Sequence, residues 1–144
     1  MPLVTRNHPM LTLEGARAVL AAAQRRADEL RVPMNIAVVD DGGHLLVFER
    51  MDGAKLSSIA IALVKAQAAA MRRAPTGPAM AGDQVNVPLA LGLAVAASAH
   101  QTPIRGGVPL VVDKTVVGAI GVSAGNEDQD SDVARAGAAA IEKA

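Results

Sequence analysis

The chain has no cysteine, no tryptophan and no tyrosine, and Phe48 is the single aromatic side chain among its 144 residues. Without cysteine there is no disulfide framework, no thiol nucleophile, no thiolate metal site and no iron–sulfur cluster, an absence compatible with any compartment. Without further aromatics there are no platforms on which bases stack. With 14 basic residues against 14 acidic ones there is also no positive footprint for a phosphate backbone, so nucleic acid is not an expected partner. The longest mostly apolar run, residues 87–99, is too short to cross a bilayer, and "MPLVTRNHPMLTLEG" holds no continuous apolar segment behind its arginine. The expectation is a soluble cytoplasmic protein without a membrane partner.

Small apolar residues fill the space that aromatics leave. The hydrophobic share is 51%, much of it alanine. A chain of this length fits one domain, residues 1–144, able to bury roughly two thirds of its unfolded surface. Zero formal charge combined with apolar helix faces favours self-association, so a homo-oligomer is expected.

Thr12 reads as the N-cap of a helix reaching to about Arg31, with Leu13, Ala16, Val19, Leu20, Ala23, Ala27 and Leu30 at helical spacing. "NIAVVD" and "HLLVFE" read as strands joined through Asp41-Gly42, a strong hairpin signal. Residues 55–73 follow a helical pattern in which Ser58, Lys65 and Arg72 recur every seven residues along one stripe. Residues 74–86, with two prolines and two glycines, read as a loop, and a short apolar helix follows at about 89–99. "GVPLVVD" and "TVVGAIGVS" form a second hairpin turning at Asp113-Lys114. Glu127, Asp128, Asp130 and Asp132 stand where a last helix begins and are accounted for as N-terminal charges. Two hairpins interspersed with helices give the chain an α+β order of elements.

Candidate chemistry begins where the second strand ends, at Arg50, Met51, Asp52 and Gly53. One reading is a local ion pair and helix cap; the other is an anion site, because a guanidinium forks onto carboxylates. Lys65 is either snorkelling to solvent or buried, and a buried amine needs a partner or a pocket. Gly106 and Gly107 mark a bend, or a place where a ligand approaches backbone N–H groups. Gly118 and Gly121 suit close packing of helix on strand. His8, His44 and His100 match no spaced metal motif, so no metal site is expected. "GVSAG" satisfies a bare GxSxG pattern around Ser123, but every histidine lies upstream and the match is read as accidental.

Taken together, "VVDDGGHLLVFERMDGA", the helix carrying Lys65, "RGGVPLVV" and "VVGAIGVSAGNEDQD" resemble the GlcG/HbpS-like family of small haem-binding or haem-degrading domains over nearly the whole chain. The resemblance implies an α+β, profilin-like fold, an antiparallel sheet built from the two hairpins with helices on its faces, and homo-oligomers from tetramer to octamer. It also implies haem or a related tetrapyrrole as ligand, in an apolar cleft with Arg50 and Lys65 pairing its carboxylates. The positions matching the family's motifs are Arg50, Met51, Asp52, Gly53, Ala54, Lys65, Gly106, Gly107 and Gly118 through Ser123. The chain departs from a haem site in offering one aromatic residue and no histidine inside a matched motif. The alternative function is a small enzyme acting on an organic acid or carbonyl compound. In it Asp52 or Lys65 moves a proton and the Gly106-Gly107 backbone supplies donors.

Overall fold

A computed structural model describes residues 1–98 and 100–143. The chain runs α1 (Leu13–Leu30), β1 (Asn35–Asp40), β2 (Leu45–Arg50), α2 (Ile59–Arg72, entered through a tight turn at Leu56–Ser58), β3 (Met80–Ala81), β4 (Gln84–Val85), α3 (Val87–Ala96), β5 (Gly107–Val112), β6 (Thr115–Ser123) and α4 (Glu127–Ala139). The four long strands form one antiparallel sheet in the order β2-β1-β6-β5. Both expected hairpins are present, joined through β1 and β6.

Local chemistry sets these boundaries. Thr12 Oγ1 accepts a hydrogen bond from the Gly15 N–H, and α1 stops where Arg31 turns left-handed at φ 57°. Asp113 and Lys114 both take positive φ, 48° and 63°. The second hairpin thus makes the mirror-image turn that suits strand twist, without glycine. The stretch 74–86 is less irregular than expected, since β3 and β4 pair across Gly82, whose φ of 65° supplies the turn. The apolar helix starts at Val87 rather than 89, because Asn86 caps it through the Leu89 N–H. Proline at the second helical residue donates no bond the helix needs.

Successive side chains of β1 point to opposite faces, and each face packs its own layer. Ile36 and Val38 join Val19, Met34, Leu110, Ile120, Val122 and Val133 beneath α1 and α4. Burying each of these large side chains is worth about 1.5–3 kcal/mol. Ala37 and Val39 meet Ala62, Ala66, Ala69, Ala70 and Ala119 beneath α2. This second layer is almost all alanine, so α2 lies very close to the sheet. A Cβ on Gly121 would overlap the Ala62 carbonyl, and one on Gly107 would overlap the Lys65 carbonyl. Gly121 therefore permits close packing of helix on strand. Gly118 is crowded instead by the Val39 carbonyl and Leu11.

Candidate functional site

Lys65 lies on the stripe of α2 that meets the sheet, flanked by Ala62, Ala66 and Ala69, and its side chain is 1% exposed. The ammonium does not snorkel. It donates to Asp130 Oδ2 at 2.8 Å and to the Val122 carbonyl at 2.9 Å. Asp130 Oδ1 accepts from the Gly125 N–H at 3.0 Å, so both carboxylate oxygens are engaged. Burial pushes the Asp130 carboxyl above its ordinary range, opposed by the Lys65 ammonium and the Gly125 N–H. The pair crosses the open end of the sheet, joining α2 on one face to α4 on the other. Gly106, one residue before β5, makes the crossing possible: a Cβ there would lie 2.8 Å from Lys65 Nζ and 2.7 Å from the Val122 carbonyl oxygen.

This arrangement adds to the reading of the acidic cluster. The cap of α4 is Asn126, whose side chain accepts from the Gln129 N–H while Gln129 returns a bond to the Asn126 N–H. Glu127, Asp128 and Asp130 do stand in the first turn of α4, as expected, and three of the four acids also reach tertiary partners. Asp132 pairs with Arg26, Asp128 with Arg105, and Asp130 with Lys65. A signal for Asp130 existed in the sequence, because it precedes Val133, Ala134 and Gly137 at helical spacing and so shares their buried stripe. Between β6 and this helix, Ala124 is held at φ 114°, a conformation strained for any residue with a Cβ.

Gly107 is likewise committed to the fold. Its N–H donates to Thr76 Oγ1 at 2.9 Å and its carbonyl accepts from the Thr76 N–H. That N–H is not free to hold a ligand oxygen.

Arg50, Met51 and Asp52 sit apart from Lys65. With Gln24 and Asp28 of α1 and Glu49 of β2 they line a polar cleft of about 410 Å³ beside the end of β2. The turn beyond it is well anchored. The Met51 N–H donates to the Met34 carbonyl, the Met34 N–H to Met51 Sδ, and the Asn35 side-chain amide to the Lys55 carbonyl at 2.8 Å. Gly53 supplies the positive φ of 86° beside Pro33. Neither an Arg50–Asp52 ion pair nor an Asp52 helix cap is found among the described residues. The expected sites thus fall into two groups: Arg50, Met51 and Asp52 at the cleft, and Lys65, Gly106 and Gly107 around the buried pair. Asp52 lines that cleft and Lys65 does not.

A strongly apolar concavity lies elsewhere, between α2 and α3. Ile61, Val64, Leu91, Ala94, Val95 and Ile104 are among the residues lining an open groove of about 350 Å³, with Gln101 and Thr102 also on its wall. Sequence reasoning missed it, although α3 itself was legible: "VPLALGLAVA" contains no polar side chain. Only Ala90 of this helix is buried, while Val87, Leu89, Leu91, Leu93 and Val95 are exposed. The histidines contact Asp41, Asp40 and Gln67, and no group of three His, Asp or Glu arranged to hold a metal occurs among the described residues. No helix among them is long and apolar enough to cross a membrane.

Residues 11–139 match the family described as haem degrading protein HbpS-like. Protein GlcG of Escherichia coli strain K12 is 39% identical over 114 residues, which are 79% of this chain and 81% of GlcG. The crystal structure of Klebsiella pneumoniae protein ORFY superposes with a TM-score of 0.82 at 29% identity, covering 97% of both chains. A PduOC:haem complex superposes with a TM-score of 0.80 at 29% identity, covering 92% of this chain and 96% of that one. With the four-stranded antiparallel sheet and its flanking helices, these likenesses establish that the chain belongs to the HbpS-like family.

Proposed function

We propose that this protein binds haem or a related tetrapyrrole in the groove between α2 and α3, and that it does so as a homo-oligomer. The observation that carries the reading is the groove itself, an open apolar surface walled by a helix with no polar side chain. A helix apolar on every side is ordinarily covered. The faces of a tetrapyrrole are apolar and flat, and Ile61, Val64, Leu91 and Val95 suit such a face. Its carboxylates need a cation at the margin. Arg72 adjoins the same Gln101–Thr102 stretch and spends only a long 3.4 Å contact on the Gly77 carbonyl. Arg72 therefore replaces Arg50 and Lys65 as the residue that would pair a propionate. His100 precedes Gln101 and is the histidine that would ligate an iron at that end of the groove. Bound haem would supply a redox-active iron.

The groove is too open to enclose a macrocycle, since pockets for such ligands bury most of the ligand surface. A second copy, laying its own exposed α3 over the first, completes the enclosure and covers the apolar helix at once. Kinship with a haem-degrading family and with a domain solved as a haem complex supports the ligand class.

Haemin titrated into the purified apoprotein should give a saturating Soret shift at micromolar concentration. Val64→Glu, which sets a charge into the groove wall, should weaken that binding at least tenfold while leaving far-ultraviolet circular dichroism unchanged. Absence of a shift in the parent protein would defeat the proposal, and unaltered binding by Val64→Glu would move the site elsewhere.

A further inference from the structure

Beside the end of β2, five polar side chains line one cleft without pairing with one another. Gln24 and Asp28 stand one helical turn apart on α1, and Glu49, Arg50 and Asp52 close the opposite side, around a space of about 410 Å³. None of the five enters an ion pair among the described residues. Elsewhere several charges are paired across the fold: Arg26 holds both Glu29 and Asp132, and Lys65 holds Asp130. Glu49 Oε2 is the sharpest case, a nearly covered oxygen on a half-buried side chain, with no hydrogen-bond partner. Burial, followed by the nearby charge of Asp28, pushes the Glu49 carboxyl above its ordinary range. A buried acceptor without a donor is costly, and native folds rarely keep one unfilled.

We infer that this cleft binds a small zwitterion, its ammonium received by Glu49, Asp28 and Asp52 and its carboxylate by the guanidinium of Arg50. The charges select this class. A simple carboxylic acid would meet one cation among three acids, and a simple amine would leave Arg50 unpaired and be repelled by it. A molecule carrying both groups answers both ends. An ammonium brings three donors and no acceptor, matching a wall of carboxylate oxygens, while the planar fork of arginine fits a carboxylate through two parallel bonds. The space falls within the range of small-molecule pockets. The cleft is walled by α1, which covers the sheet face opposite α2, so the inference stands independently of haem in the α2–α3 groove.

Isothermal titration calorimetry at low ionic strength, paired with amide chemical-shift mapping, tests it on the full chain. The probes are glycine, γ-aminobutyrate and ε-aminocaproate, with butyrate and n-butylamine as single-charge controls. At least one zwitterion should saturate, shift the amides of residues 49–53, and bind about tenfold or more tightly than either control. Glu49→Gln and Arg50→Lys, each verified as folded by circular dichroism, should each weaken that zwitterion about tenfold while leaving haemin titration unchanged. The inference fails if no zwitterion saturates at millimolar concentration, if a single-charge control binds equally well, or if both folded variants bind as the parent does.

Discussion

Lys65 Nζ lies 2.8 Å from Asp130 Oδ2, and the two side chains are 1% and 4% exposed. A salt bridge sealed this completely contributes less through its own attraction than through the penalty that follows when one partner is removed. Lys65→Met should therefore cost about 3–5 kcal/mol in urea unfolding, because the Asp130 carboxylate is stranded. Lys65→Met with Asp130→Leu should recover most of that loss. If Lys65 instead holds a ligand, the single variant will keep its stability and lose binding.

Glycine substitutions should divide by position. A Cβ at Gly121 would overlap the Ala62 carbonyl and also crowd the Ala66 N–H. Gly121→Ala should therefore cost about 1–3 kcal/mol or more by forcing α2 off the sheet. Gly92, midway along α3, has nothing within 4 Å of the position its Cβ would take. Gly92→Ala should stabilise the helix by up to about 1 kcal/mol. Thermal melts of both variants check the opposite signs.

The Glu49 carboxyl is raised above its ordinary value of 4.5 by burial and then by Asp28. The folded state accordingly holds its proton to higher pH than the unfolded chain does. Stability falls as pH rises from about 4.5 through the raised value. Glu49→Gln should remove that decline, so the variant gains on the parent across this window and keeps the gain at neutral pH. Denaturant midpoints measured from pH 4 upward, about one unit apart, report it; parallel curves for the two proteins would contradict the assignment.

Five large apolar side chains of α3 face outward. Leu91→Glu combined with Val95→Glu should convert the expected tetramer or larger assembly to smaller species in sedimentation velocity and reduce haemin affinity in parallel. A parent protein sedimenting as a 14.6 kDa species would remove the assembly from the proposal.

Period and turn chemistry made the architecture readable from the residues alone. Apolar spacing marked α1 and α2, Asp41-Gly42 and the break at Asp113-Lys114 marked the hairpins, and Gly121 announced a close approach of helix to strand. These signals are local, acting within one turn of helix or between adjacent residues. The site was not local. Lys65 could be suspected of burial, yet its partner is 65 residues away and is reached only because α2 and α4 cover opposite faces and Gly106 leaves the sheet end open. Asp130 was hidden among acids that all suit a helix N-terminus, and only packing singled out the one on the buried stripe. Glu49, near the end of β2, has Asp28 beside it only because α1 packs there. Which charges pair with one another and which stay unpaired depends on distances between segments far apart in the chain, and those distances exist only once the layers have packed.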